Sequence, residues 1–155
     1  MITAWRIVKT RLASSAFDGE GARRFGGRFN SVGVPVIYTA GSRSLAILEM
    51  IVHIGDERVL PSYSLCSVRF ENSIIEQLTL SELPATWQDT PSPPEALALG
   101  DAWISSKRSV VLEVPSVVVP DEKNYLINPT HPDFSQIKIG TPVPLSFDKR
   151  LLKRG

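Results

Sequence analysis

Val34-Pro35-Val36-Ile37-Tyr38-Thr39-Ala40-Gly41-Ser42-Arg43-Ser44-Leu45-Ala46-Ile47-Leu48-Glu49-Met50-Ile51-Val52-His53-Ile54 changes its period half-way along. Up to Thr39 the stretch alternates and is rich in β-branched residues, which predicts a strand, with Pro35 at its start where a proline is tolerated. From Ser42 the spacing becomes helical. Ser42 caps a helix running to about Ile54, and Gly55 ends it. Inside that helix seven apolar neighbours crowd one acid, Glu49. Burying an unpaired carboxylate is costly, so a chain that keeps one there usually uses it. His53 falls one turn later on the same side. A structural Glu49–His53 pair and a carboxylate aimed into a cleft are therefore both open.

Upstream lies Arg23-Arg24-Phe25-Gly26-Gly27-Arg28-Phe29-Asn30. The run from Phe17 to Phe29 holds four glycines and reads as a functional loop entering a strand. Gly26 and Gly27 let backbone approach a ligand closely, and Arg28 then offers a planar fork for phosphate. Glycines before a strand are also often only a turn. The run is neither a Walker A loop nor a dinucleotide fingerprint. Tyr38 ends the following strand, where its ring can stack on a flat heterocycle with the hydroxyl free to bond, or simply sit in the core. Farther on, Ser116 breaks the apolar run Val114 to Val119. Its hydroxyl suits a sugar, a phosphate or a β-bulge, and no nucleophile elbow surrounds it.

The rest of the chain predicts strands at Trp5–Val8, Ser62–Phe70, Val110–Val114, Val117–Val119, Ile137–Ile139 and Val143–Phe147. Helical segments are predicted at Thr10–Ala16, Ile74–Leu78 and Glu95–Ser106, the last with Ala96, Leu99 and Trp103 at helical spacing. Leu83 to Pro94 is a loop with four prolines, and Asn124–Asn128 opens a turn-rich segment. Strands dominate both ends and helices the middle. That order predicts an α+β fold with a mostly antiparallel sheet, in one domain spanning residues 1–155.

Lys+Arg is 17 and Asp+Glu is 16, a net charge of +1, which argues against a protein built to hold a long polyanion. Cys66 is the only cysteine and sits mid-strand as a small core residue. Neither an internal disulfide nor a cysteine cluster for zinc can form, and two histidines without a His-Glu-x-x-His motif make a metal site weak. The start lacks the apolar core of a signal peptide, and the longest apolar stretch is too short to span a bilayer. The expectation is a soluble, cytoplasmic protein that contacts neither membrane nor nucleic acid. The basic tail, Asp148 to Arg154, reads as a solvated end.

Taken together, the blocks Ala16–Asn30, Val36–Ala40, Leu45–Glu49, Val114–Ser116 and Asn124–Pro129 before His131-Pro132 resemble the RES-domain family of bacterial RES–Xre toxin–antitoxin modules. The resemblance covers nearly the whole chain. Arg28 matches the family's arginine, Glu49 its glutamate, Ser116 its serine and Tyr38 its pocket tyrosine. Phe29 stands where many relatives carry a tryptophan. The family is similar in fold to ADP-ribosyltransferases, which implies a cleft between two small, mostly antiparallel sheets. It also implies NAD⁺ as substrate, with no separate cofactor and no metal. Glu49 would then stabilise positive charge on the ribose, and Arg28 would bind pyrophosphate or ribose beside Gly27. Tyr38 would stack on a base, and Ser116 would bond the ligand or orient Glu49. The implied partner is an Xre-type antitoxin in a hetero-oligomeric complex, with self-association left open.

Three functions follow. The first is a toxin that cleaves NAD⁺ at the nicotinamide–ribose bond, handing ADP-ribose to water, phosphate or a protein. The second is a non-catalytic nucleotide-binding module that regulates a partner. The third is an RNA-targeting toxin using Arg23, Arg24 and Arg28 beside Phe25 and Phe29, against which the charge balance weighs.

Overall fold

The longest ladder follows from alternation. In the computed structural model, which describes residues 1–54, 61–146 and 148–152, β1 (Ile2–Lys9) and β3 (Tyr63–Phe70) pair antiparallel along their full lengths, from Ile2 opposite Phe70 to Lys9 opposite Tyr63. Ala4, Cys66, Val68 and Phe70 share one face of it and are buried. The helix expected to run to about Ile54 ends at Ile51, and the last strand, expected to reach Phe147, ends at Leu145; Gly55, Phe147, and Lys153 and Arg154 of the tail lie outside the described residues.

Beyond β1 the sheet continues through β2 (Ile37–Ala40), then β6 (Lys123–Ile127), β5 (Val111–Pro115) and β4 (Ile75–Gln77). On the far side β3 carries β7 (Lys138–Ile139) and β8 (Val143–Leu145). All pairings are antiparallel except β4 with β5. With α1 (Glu20–Phe25), α2 (Arg43–Ile51) and α3 (Pro94–Ser106), this is the α+β arrangement expected. The two small sheets expected are halves of one sheet. They meet at a seam, because β1 and β2 share only the register pair Trp5 and Ala40.

Both faces of the central strands are covered, which explains their continuous apolar runs. Val111, Tyr125, Ile127 and Ile37 pack with Ala4, Val68 and Phe70, and the Phe70 and Tyr125 rings meet edge-on at 5.5 Å between centroids. On the opposite face Leu112, Val114 and Leu126 pack with Trp103 and Ala96 of α3 and with Trp87. A third cluster seats Leu45 and Ala46 of α2 on Ala40, beside Trp5 and Ile7.

Five further expectations change. Thr10–Ser15 is a 3-10 helix, and the glycine-rich loop contains α1, with Asp18 Oδ1 accepting from Glu20 N at 2.9 Å. Ile75–Gln77 is a strand and not a helical turn. A short apolar run reads either way, and the free edge of β5 decides it. Asn124–Ile127 lies in strand β6, not in a turn-rich segment. It is held on both sides, by β2 and β5, and this overrides the poor strand propensity of asparagine. Val117–Val119 does not resume a strand. Val118 N and Val119 N both donate to Ser116 Oγ at 3.1 Å, so a hydroxyl offering two backbone bonds outcompetes β-branched propensity.

Candidate functional site

Glu49 reaches its place through α2. Ser42 caps the helix, its Oγ accepting from Leu45 N at 3.0 Å, as the sequence predicts. Leu45 is buried on the sheet, and Glu49 stands one turn above it on the same face. The acid is half-buried, not deep. Leu48 is 41% and Val52 59% exposed, so neighbours in sequence do not crowd it in space. Nor is it alone. Ser116 Oγ donates to Oε1 at 2.7 Å and Asn124 Nδ2 donates to the same atom at 2.9 Å. Among the described residues, no hydrogen bond or ion pair goes to Oε2 or links the acid to His53, which is exposed. The acid is thus gripped through one oxygen and presents the other.

Ser116 is fully buried. Its N donates to Glu122 O at 2.9 Å, and its Oγ joins Glu49 to the Val118 and Val119 amides. Its side-chain contacts are thus with Glu49 and with the backbone of its own turn.

Tyr38 braces the glycine-rich loop. Its hydroxyl donates to Asn30 Oδ1 at 2.6 Å and accepts from Phe29 N at 3.1 Å, so it is not free for a ligand. The ring remains partly exposed. Burial pushes the phenol well above its ordinary range, the Phe29 N–H acts the other way, and the hydroxyl stays neutral. Buried Asn30 spends its amide on Ala22, Ser31 and Val34 carbonyls. A Cβ on Gly27 would sit 2.7 Å from the Tyr38 hydroxyl and 2.8 Å from Asn30 Oδ1. Gly27 is therefore a glycine because the phenol lies against it.

Arg28 shares this loop, but its fork is occupied. Nη1 donates to Trp87 O at 3.2 Å and, over a short contact, to Asp89 O; Nη2 donates to Thr90 Oγ1 at 3.3 Å. Ser92 Oγ returns a bond to Arg28 O at 2.6 Å. The arginine expected to face a phosphate here straps the proline-rich loop to the strand entry. No direct contact joins it to Glu49.

Two residues escaped the sequence reading, Asn124 and Arg6. Arg6 follows Trp5 of the seam on β1. Its Nη1 donates to Tyr38 O at 3.1 Å across the gap where the ladder stops, and among the described residues its Nε is buried without a partner and no carboxylate lies within ion-pair distance. Burial lowers its pKa, while the charges of Cys66 and Asp18 act oppositely; a guanidinium stays charged regardless. Asn124 pairs with Ala40, the other half of the seam, and its Oδ1 is likewise buried and unpartnered. These two are the buried side-chain polar atoms left without a partner among the described residues, and both adjoin the seam. An arginine in a first strand and an asparagine before a tyrosine carry no local signal of this. Only cross-strand register brings them together.

Cys66 is a buried core residue, as expected, with burial pushing its thiol up. Among the described residues no group of three His, Cys, Asp or Glu side chains is placed to hold a metal, and no helix is long and apolar enough to cross a membrane. A surface depression lined by Glu76, Arg108, Ser109, His131 and Asp133 lies at the other end of β5 from Ser116 and contains none of the site residues.

The RES domain family model matches residues 3–148, and the chain belongs to this family. It is 39% identical over 148 residues to "Toxin Res" of Yersinia enterocolitica, covering 95% of this chain and 97% of that one. It is 36% identical over 155 residues to the "Prs ADP-ribosylating toxin" of a Sphingobium species, covering 97% and 96%. In fold it is similar to a chain of the M. tuberculosis MbcT–MbcA toxin–antitoxin complex, with a TM-score of 0.76 and 22% identity over 94% of this chain and 84% of that chain.

Proposed function

We propose that this chain is a toxin that breaks the nicotinamide–ribose bond of NAD⁺. The observation that carries the reading is Glu49, fixed through Oε1 with Oε2 left to a ligand at the sheet's seam. In the reaction, nicotinamide leaves with the bonding electron pair and becomes neutral, while the ribose carbon takes up positive charge. A carboxylate already in place stabilises that charge without reorganising at the moment of reaction. Glycosidases meet an analogous transition state in the same way. Water or phosphate then adds to the ribose carbon and gives up a proton. Arg6 supports the reading as a charged guanidinium held beside the seam through Tyr38 O. Tyr38 contributes its ring, Ser116 aims the acid, and Gly27 and Arg28 shape the wall.

A protein acceptor is the second reading, and the Sphingobium relative named for ADP-ribosylation favours it. The partner in either case is an antitoxin, of the Xre type by family resemblance; the structural neighbour, a toxin–antitoxin complex, supports such a partner. Incubation with NAD⁺ tests the reading. Nicotinamide release by wild type, reduced on the order of 10²-fold or more in Glu49→Gln with similar NAD⁺ affinity, is expected. Release at the wild-type rate from Glu49→Gln sinks it.

A further inference from the structure

We propose that Asn124 is a positioning residue for Glu49, an inference that rests on the NAD⁺ reading above. The grip on the acid is one-sided. Ser116 Oγ at 2.7 Å and Asn124 Nδ2 at 2.9 Å both end on Oε1. A single donor would let the carboxylate swing about one bond. Two donors from different strand ends fix its plane and so aim Oε2.

The other end of the amide argues that this contact is its purpose. Asn124 Oδ1 is buried and has no partner. Beside a carboxylate oxygen only the NH₂ end of an amide is attractive, so the acid dictates which way the side chain faces and the orphaned Oδ1 is the consequence. An unsatisfied buried acceptor weakens a fold. Asn124 shares a cross-strand row with Ala40 and Val114, which are 4% and 1% exposed. A small apolar residue in that row would remove the orphan, so stability does not account for the amide. Glu49 does.

Steady-state kinetics with NAD⁺ test this. Asn124→Ala should lower kcat roughly tenfold or more while KM stays within about twofold, since aim matters most in the transition state. In a Glu49→Gln background the same change should add less than about twofold, because a residue acting through Glu49 has nothing left to position. Losses that multiply in the double variant, or wild-type kcat in Asn124→Ala, overturn the inference. Should the alanine variant not fold, Asn124→Asp keeps the shape. It sets a second carboxylate against Oε1, so kcat should fall at neutral pH and recover as pH drops, when a shared proton replaces the lost N–H. A pH profile parallel to wild type overturns the inference. Wild type that neither binds NAD⁺ nor releases nicotinamide removes the reading and this inference together. Turnover by wild type with an unaffected Asn124 variant removes this inference alone.

Discussion

At the scale of single residues, the site is held by hydroxyls and amides and not by ion pairs. Ser116 shows the dependence most directly. Its alanine variant would leave Glu49 Oε1 with one donor and orphan the Val118 and Val119 amides. We expect Ser116→Ala to lose about 1–3 kcal/mol in urea denaturation and to lower kcat as well. Unchanged stability would mean that the hydroxyl is not the hub of that turn. Glu49→Gln should behave differently, because a glutamine oxygen still accepts from Ser116 and Asn124, so its melting temperature should stay near wild type. Gly27→Ala tests the phenol brace. The added methyl would crowd the Tyr38 hydroxyl at 2.7 Å and cost about 1–3 kcal/mol. In a Tyr38→Phe background the same change should cost less, since the most crowded of its neighbouring atoms is gone; equal costs in both backgrounds would refute the account. Much at this scale was legible. Glu49 and Ser116 stand out as polar residues in apolar runs, whereas Tyr38 and Arg28 become candidates through the family resemblance. Their bonds were not legible, and so the acid read as solitary and the guanidinium as free.

At the scale of elements, the recurring theme is what ties the glycine-rich loop down. α3 does so from one side: Asp101 accepts from Ser31 N at 2.9 Å and from Ser31 Oγ at 2.5 Å. The helix packs so closely that a Cβ on Gly100 would lie 1.6 Å from Phe29 O. Gly100→Ala must push α3 off the loop. We expect a loss of about 1–3 kcal/mol or more, read by urea denaturation, with kcat falling because the Tyr38–Asn30 brace moves with Phe29. Wild-type kcat in a destabilised Gly100→Ala would separate α3 from the site. The helices were readable from caps and spacing: Ser42 starts α2, and Ala96 and Trp103 turn inward on α3. β4 and β6 were not readable, because a three-residue apolar run and an asparagine-led segment become strands only when a neighbour offers an edge. The basic, aromatic stripe once open to an RNA reading is also partly spent, with Arg23 paired to Glu20 at 2.8 Å and Arg28 tied to carbonyls.

At the scale of the whole molecule, two tyrosines, together with the buried Cys66 thiol, tie stability to alkaline pH. Burial pushes Tyr38 well above its ordinary value, and burial with the neighbouring Glu113 pushes Tyr125 up to about 12. Unfolded, both phenols lose their protons near pH 10; folded, both keep them beyond it. Above about pH 10 the unfolded chain therefore binds fewer protons than the native one, and stability falls as pH rises. The contribution is complete below pH 10, and that of Tyr125 is lost by about 12. Denaturation midpoints should drop across that window, and Tyr125→Phe should flatten the slope by up to about 1.4 kcal/mol per pH unit. A slope unchanged in that variant would remove Tyr125 from the explanation.

The join between β1 and β2 has a mechanical meaning. A fabric knitted at one stitch parts there first and leaves both panels whole. Hydrogen–deuterium exchange should find the amides that face each other across the join between β1 and β2 quick to exchange, while those between β1 and β3 stay protected for far longer. If the proposed function holds, the chemistry would sit beside this join, and a guest would enter by spreading two intact halves without unravelling either.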